Sequence, residues 1–254
     1  MTLNSAPATA DEIRRAIHTF VHGYCYLRSF SHPYLPERAG ELWVMRDAPR
    51  RSGTYRNEEW VAQGLSAASE IVRIVNERQR GAYTISVICG MDEPQGDLRK
   101  DFKALGYRFR SSEALMVHRL EQIPEVEAPA DIQRVQTEAD ALRLGLAMRA
   151  RPLTAEELAP ASPLRQYMAQ VDGDVVGWVR SVAVEDAAYC ADMYVRPAHR
   201  RRGIALAMLC QMLADDRDAG ARRSALLAGT AGARLYPRAG YEQIGVLLLF
   251  SPKK

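Results

Sequence analysis

The stretch Met193-Tyr-Val-Arg-Pro-Ala-His-Arg-Arg-Arg-Gly-Ile-Ala205 constrains the fold more than any other part of the chain, because it runs an apolar strand into a basic, glycine-containing turn and then into a helix. From Ile204 to roughly Asp216, residues Leu206, Leu209, Met212 and Leu213 recur at spacings of three and four, so one helical face is made to pack on a sheet. The first-turn N–H groups of such a helix have no intrahelical partner, and with the helix dipole they favour an anion at that point. Gly203 and Ala205 are small enough to let a diphosphate approach the main chain, while Arg200, Arg201 and Arg202 place positive charge around it. The chain has neither Gly-x-x-x-x-Gly-Lys-Ser/Thr nor Gly-x-Gly-x-x-Gly, which excludes the usual nucleoside-triphosphate and dinucleotide loops.

The flanking sequence extends the pattern. Arg165–Gly173 and Asp174–Val184 read as two strands joined at an Asp-Gly turn, and Ala187–Val195 as a third leading into the loop. Ser224–Ala228 is a short apolar strand, Ala233–Tyr241 a helix-and-turn segment, and Gly245–Phe250 a last strand. Asp131–Gln136 is predicted as a first strand, followed by a helix near Ala139–Arg149.

The spacing Arg200-x-x-Gly203-x-Ala205, preceded by Val195-x-Pro197, resembles the acyl-CoA pyrophosphate loop of the GNAT superfamily of N-acyltransferases. Leu235-Tyr236-x-x-x-Gly240-Tyr241 resembles the segment that closes the acyl-CoA site in that family, and the resemblance covers about residues 130–254. It implies an α/β (α+β) fold, a mixed and mostly antiparallel sheet flanked by helices. It also implies acetyl-CoA as acyl donor, an amine of a small molecule or peptide as acceptor, direct transfer and no metal. On this resemblance the main chain of Met193, Tyr194 and Val195 bonds pantetheine, and the segment Arg200, Arg201, Arg202, Gly203, Ile204 and Ala205 takes the diphosphate. Tyr236 matches the tyrosine that many members use as general acid, and a phenol is a sensible proton donor to a thiolate of comparable basicity; the rival reading of Tyr236 is packing. For the base, Asp192 is out of phase with Ala191, Met193 and Val195, so alternation sends its carboxylate to the opposite sheet face; Glu185, Asp186 and water are the alternatives. An acyl-CoA-binding sensor without transfer activity is the competing function, since fold and cofactor site do not guarantee catalysis. Retention of Tyr236 favours the enzyme.

Composition fits either. The chain has 254 residues, 47% apolar and 26% charged, long enough for two domains. A formal charge of +3 and three adjacent arginines without interleaved aromatics argue against a nucleic-acid partner. No apolar stretch approaches the ~20 residues of a membrane span, and the first residues lack the apolar core of a signal peptide, so a cytoplasmic protein without a membrane partner is expected; a homodimer is compatible with the sequence. Cys25, Cys89, Cys190 and Cys210 are scattered and read as buried, reduced thiols, and His18, His22, His32 and His118 as structural or surface residues.

The chain also echoes itself. Phe102-Lys-Ala-Leu-Gly-Tyr107 aligns with Tyr236-Pro-Arg-Ala-Gly-Tyr241 at a constant offset of 134 positions. Each copy is preceded by a short strand (Tyr83–Cys89, Ser224–Ala228) and followed by an apolar one (Ala114–Val117, Val246–Leu249), and Ser66–Arg80 reads as a helix before the first. A tandem arrangement is therefore expected, with residues 1–121 a smaller, degenerate GNAT-like lobe, Gln122–Pro129 a linker, and residues 130–254 the complete domain. The first lobe lacks the arginine–glycine loop and has Phe102 where the second has Tyr236, so only the second should bind acyl-CoA. Its polar tract Arg46–Trp60 reads as a solvated loop or as one wall of a substrate cleft.

Overall fold

The computed structural model describes residues 8–51, 53–64, 66–93, 95–230 and 232–253. They form two compact units, and the units do not follow chain order. The first takes the chain up to Met116 together with Leu227–Thr230 and everything from Gln243 onward; the second takes Val117–Leu226 and Ala231–Glu242. The last strand, read as the end of the second domain, lies within the first unit.

The first unit begins with helix α1 (Ala10–Arg28), capped by Thr9, whose hydroxyl accepts from the Glu12 N–H at 3.2 Å. Strands β1 (Tyr34–Ala39), β2 (Leu42–Asp47) and β3 (Glu58–Gln63) follow as an antiparallel meander. Helix α2 (Ala68–Arg78) then crosses to β4 (Tyr83–Gly90), which lies parallel to β3. After α3 (Gln95–Ala104) comes β5 (Tyr107–His118), and the unit's strand order is β1-β2-β3-β4-β11-β5, with β11 (Glu242–Pro252) antiparallel to β4. Trp60, Ile71, Ile85, Phe102, Leu248 and Phe250 meet in its core. The ends of the polar tract belong to β2 and β3, and its described middle residues form a largely exposed loop tied down by the fully buried Asp47 carboxylate, which accepts from Arg56 Nε at 2.6 Å and pairs with Arg50 at 2.9 Å.

The second unit also runs an antiparallel set of strands into a helix that crosses to a parallel strand. After β6 (Asp131–Arg134) and helix α4 (Glu138–Met148), the short helix α5 (Ala155–Leu158) precedes an antiparallel run of β7 (Leu164–Val171), β8 (Asp174–Val184) and β9 (Ala187–Val195). Helix α6 (Ile204–Asp218) crosses to β10 (Arg223–Ala228), parallel to β9, in the strand order β10-β9-β8-β7-β6. The predicted apolar face of α6 is realised, since Leu206, Leu209, Met212 and Leu213 are all buried. Its far end is fixed by the buried Asp216 carboxylate, which accepts from Ser181 Oγ at 2.6 Å and Arg165 Nη1 at 2.8 Å.

The echo holds at atomic detail. Gly106 and Gly240 both take the left-handed conformation (φ +87° and +98°) that ends a helical segment. Tyr107 and Tyr241 each bond a hydroxyl near the start of the preceding strand, Tyr83 and Ser224 respectively, at 2.7 Å. The aromatics that open the two echoes diverge: Phe102 is fully buried and stacks on Phe250 at 4.2 Å, a core role with no polar atom. Phe250→Ala is expected to cost the first unit about 3–5 kcal/mol, the range for deleting a buried phenylalanine. Denaturant unfolding of the variant checks this, and a loss below about 1 kcal/mol would mean that β11 is not seated beside β4.

Candidate acyl-CoA site

In the second unit, Arg201 and Gly203 both lie in the left-handed region, φ +65° and +87°, and turn the chain sharply from the short 3-10 turn Pro197–His199 into α6. This explains the glycine of the loop motif, because a side chain there is strained by the backbone conformation although space is open to 3.6 Å from Pro129 Cγ. Three other helices are capped by threonine: α1 by Thr9, α4 by Thr137 and α5 by Thr154. Helix α6 starts at Gly203 without a side-chain cap or an acidic residue in its first turn. Its N-terminal amides, from Ile204 and Ala205 onward, meet no acceptor among the described residues before Ala207 N, which bonds Gly203 O at 3.0 Å. An uncapped helix start beside exposed arginines suits an anion by charge and by hydrogen-bonding demand.

The strand leading to it separates from its neighbour. The parallel register of β9 with β10 runs only from Ala187↔Arg223 to Tyr189↔Ala225. Beyond Tyr189, β9 continues to Val195 bonded to β8 alone, leaving its other edge for an extended ligand. The equivalent pair in the first unit, β3 with β4, stays in register over all six positions from Glu58↔Tyr83 to Gln63↔Ile88, and Gly64 N adds a bond to Ile88 O at 2.7 Å. At that end the Glu93 carboxylate packs so closely on Gly64 that a side chain on the glycine would collide with it. The first unit thus has a closed ladder where the second has an open one.

The expected site residues distribute as follows. Met193, Tyr194 and Val195 form the end of β9, and Arg200–Ala205 the turn and helix start. Arg200 does not extend freely from the turn: its Nε donates to Val195 O at 2.8 Å and its guanidinium lies 5.6 Å from the Tyr194 ring centre. The Val195 carbonyl therefore already accepts one hydrogen bond. Asp192 sits at φ +54° in a β-bulge, where the β8–β9 register jumps between Trp178↔Tyr194 and Arg180↔Ala191. The bulge, rather than simple alternation, brings the half-exposed Asp192 carboxylate to Arg180, whose Nη1 donates to it at 3.0 Å.

Tyr236 opens the 3-10 turn Tyr236–Ala239 and is buried, its ring edge-on to Tyr241 at 5.7 Å. Burial, reinforced by the neighbouring Cys190 thiol, holds its phenol well above the ordinary range, so it stays protonated throughout neutral pH. Among the described residues no hydrogen bond is recorded for its hydroxyl and none links it to Asp192, so the structure does not join the two catalytic candidates directly. Glu185 and Asp186 form the turn before β9, at the end opposite Val195. Gly240, the glycine of the tyrosine segment, packs against His118, whose Nε2 is 2.9 Å from Ala239 O; burial lowers the imidazole's pKa. His118 is a structural support of this turn, as expected.

Sequence reasoning missed a further feature, a cavity of about 890 Å³ lined by Trp178, Tyr194, the C-terminal end of α4 and the segment Arg196–His199. Trp178 and Tyr194 stack at 4.5 Å, opposite each other in the β8–β9 register. The sequence carried the signal, since Trp178 is the one aromatic in the strand run Val175–Val184.

Residues 163–243 match the family model for the acetyltransferase (GNAT) domain. No curated protein matches the chain. Among solved structures, the fold resembles a GCN5-related N-acetyltransferase from Kribbella flavida (17% identity, 94% of this chain and 95% of that one, TM-score 0.61). It also resembles one from Sphaerobacter thermophilus (19%, 83% and 76%, 0.55) and a putative acetyltransferase of the GNAT family from Novosphingobium aromaticivorans (17%, 94% and 97%, 0.53). The matched segment contains β7 to β10, the glycine turn and Tyr236, the same elements that build the open strand edge and the uncapped helix start. Residues 163–243 thus match an acetyltransferase (GNAT) domain, and the chain shares its fold with GCN5-related N-acetyltransferases.

Proposed function

We propose that this protein transfers an acetyl group from acetyl-CoA directly to an amine, with the donor held by the second unit. The observation that carries this reading is the conjunction of an uncapped α6 start in a glycine turn with the open edge of β9. The diphosphate lies against the amides of residues 203–205 and the charge of Arg201 and Arg202, and the pantetheine arm runs along the free edge of β9 towards the bulge at Asp192. Tyr236, kept protonated by burial, returns a proton to the departing thiolate. Asp192, already accepting from Arg180, positions that arginine rather than serving as the base, and water takes the amine proton. The first unit has the same helix crossover between parallel strands but no donor site, since its ladder is closed and Phe102 replaces the phenol.

Calorimetric titration with acetyl-CoA tests this assignment. One molecule bound per chain is expected. Two per chain would contradict the closed first unit, and none would overturn the site.

A further inference from the structure

The acceptor's chemistry is written in the walls of the cavity beside β9, on the assumption that the transfer reading above holds. One wall is the Trp178–Tyr194 stack, both rings half-buried. Another is the end of α4, where Leu146 is 73% exposed, with Met148 beside it. An exposed leucine facing an aromatic slab favours an apolar or planar group between them. The only charged side chains lining the cavity are Arg149 and Arg196, and among the described residues neither guanidinium meets a carboxylate. No acidic side chain is among the described residues that line the cavity. His199 lines the same cavity, and its Nδ1 is buried without a partner.

We infer that the acceptor is an amine bearing a carboxylate and an apolar or aromatic side chain, a free amino acid in its simplest form, with the carboxylate on Arg149 and Arg196 and the side chain against Trp178 and Tyr194. A guanidinium donates paired, charge-assisted bonds to a carboxylate, whereas a polyamine or aminoglycoside would bring positive charge to two arginines in a cavity with no acid among its described lining residues. The same guanidinium pair suits a CoA phosphate, and the experiment separates the two sources.

Acetyl-CoA turnover is measured with phenylalanine, phenylalaninamide and spermidine, using the full chain and its Arg196→Gln and Arg149→Gln variants. Binding of N-acetylphenylalanine and of acetyl-CoA is measured on the same proteins by calorimetry. Phenylalanine is expected to exceed its amide in kcat/KM by about tenfold or more, the scale of one charge-assisted contact, and spermidine to be inactive. Each variant is expected to raise the phenylalanine KM and weaken N-acetylphenylalanine binding by a similar factor while leaving acetyl-CoA affinity unchanged. Equal use of acid and amide, preference for spermidine, or variants that weaken acetyl-CoA alone would overturn the inference, the last result assigning the arginines to a CoA phosphate. Where no amine turns over, N-acetylphenylalanine binding that depends on Arg196 upholds the pocket while the transfer reading fails; binding indifferent to both arginines sinks the pocket itself.

Discussion

Gly203→Asp is expected to weaken acetyl-CoA binding by about a hundredfold or more while leaving the chain folded. Two effects act together. The substituent puts a negative charge where the uncapped α6 start and its arginines would otherwise hold a diphosphate, and its carboxylate caps the free amides in the ligand's place. Losing two or three charge-assisted bonds of ~1.5 kcal/mol each suffices for that factor. The fold survives because the nearest atom to an added Cβ is Pro129 Cγ at 3.6 Å, and aspartate tolerates the left-handed conformation better than most residues. Calorimetry of the variant beside its thermal melt checks the prediction, with Gly203→Ala as control for the backbone cost alone. Unchanged affinity in a folded Gly203→Asp protein would remove the loop from the donor site.

Tyr236→Phe is expected to lower kcat by about 10²–10⁴-fold with acetyl-CoA affinity retained. The substitution keeps the ring that meets Tyr241 edge-on and removes only the hydroxyl, for which no hydrogen bond to a described residue is recorded. Its effect therefore reads proton return to the thiolate rather than packing. Steady-state rates at saturating donor, with donor binding measured separately, distinguish the two. Equal turnover by both forms would leave Tyr236 a packing residue and assign the proton to water.

The second unit was legible in the sequence because its signals are local. The Asp-Gly hairpin, the loop glycine and the 3.6-residue periodicity of α6 each specify their own conformation, and each appears where expected. The echo between Phe102–Tyr107 and Tyr236–Tyr241 was legible for the same reason: its glycines need positive φ. The first sixty residues were harder. Helix α1 is signalled by Thr9 and Glu12 at its cap and by the apolar stripe Ile13, Ile17, Phe20 and Val21, but β1 is hidden by Pro36 and the charged Glu37 and Arg38 of an edge strand. The placement of β11 in the first unit was beyond reach. Its apolar run Gly245–Phe250 satisfies any partner strand, and the choice of β4 is made by long-range packing, Phe250 on Phe102 above all. At the site, the sequence placed Asp192 and Tyr236 near β9 but gave no sign of the bulge that hands Asp192 to Arg180, because a one-residue slip depends on the partner strand.

The transfer itself is tested most directly by release of free CoA thiol when the intact chain meets acetyl-CoA and a panel of amino acids, polyamines, aminoglycosides and peptides. Amine-dependent release, abolished in Gly203→Asp and greatly slowed in Tyr236→Phe, is the predicted result. Tight acetyl-CoA binding without release of thiol by any amine would contradict it, and would make the protein an acyl-CoA sensor built on an acyltransferase fold.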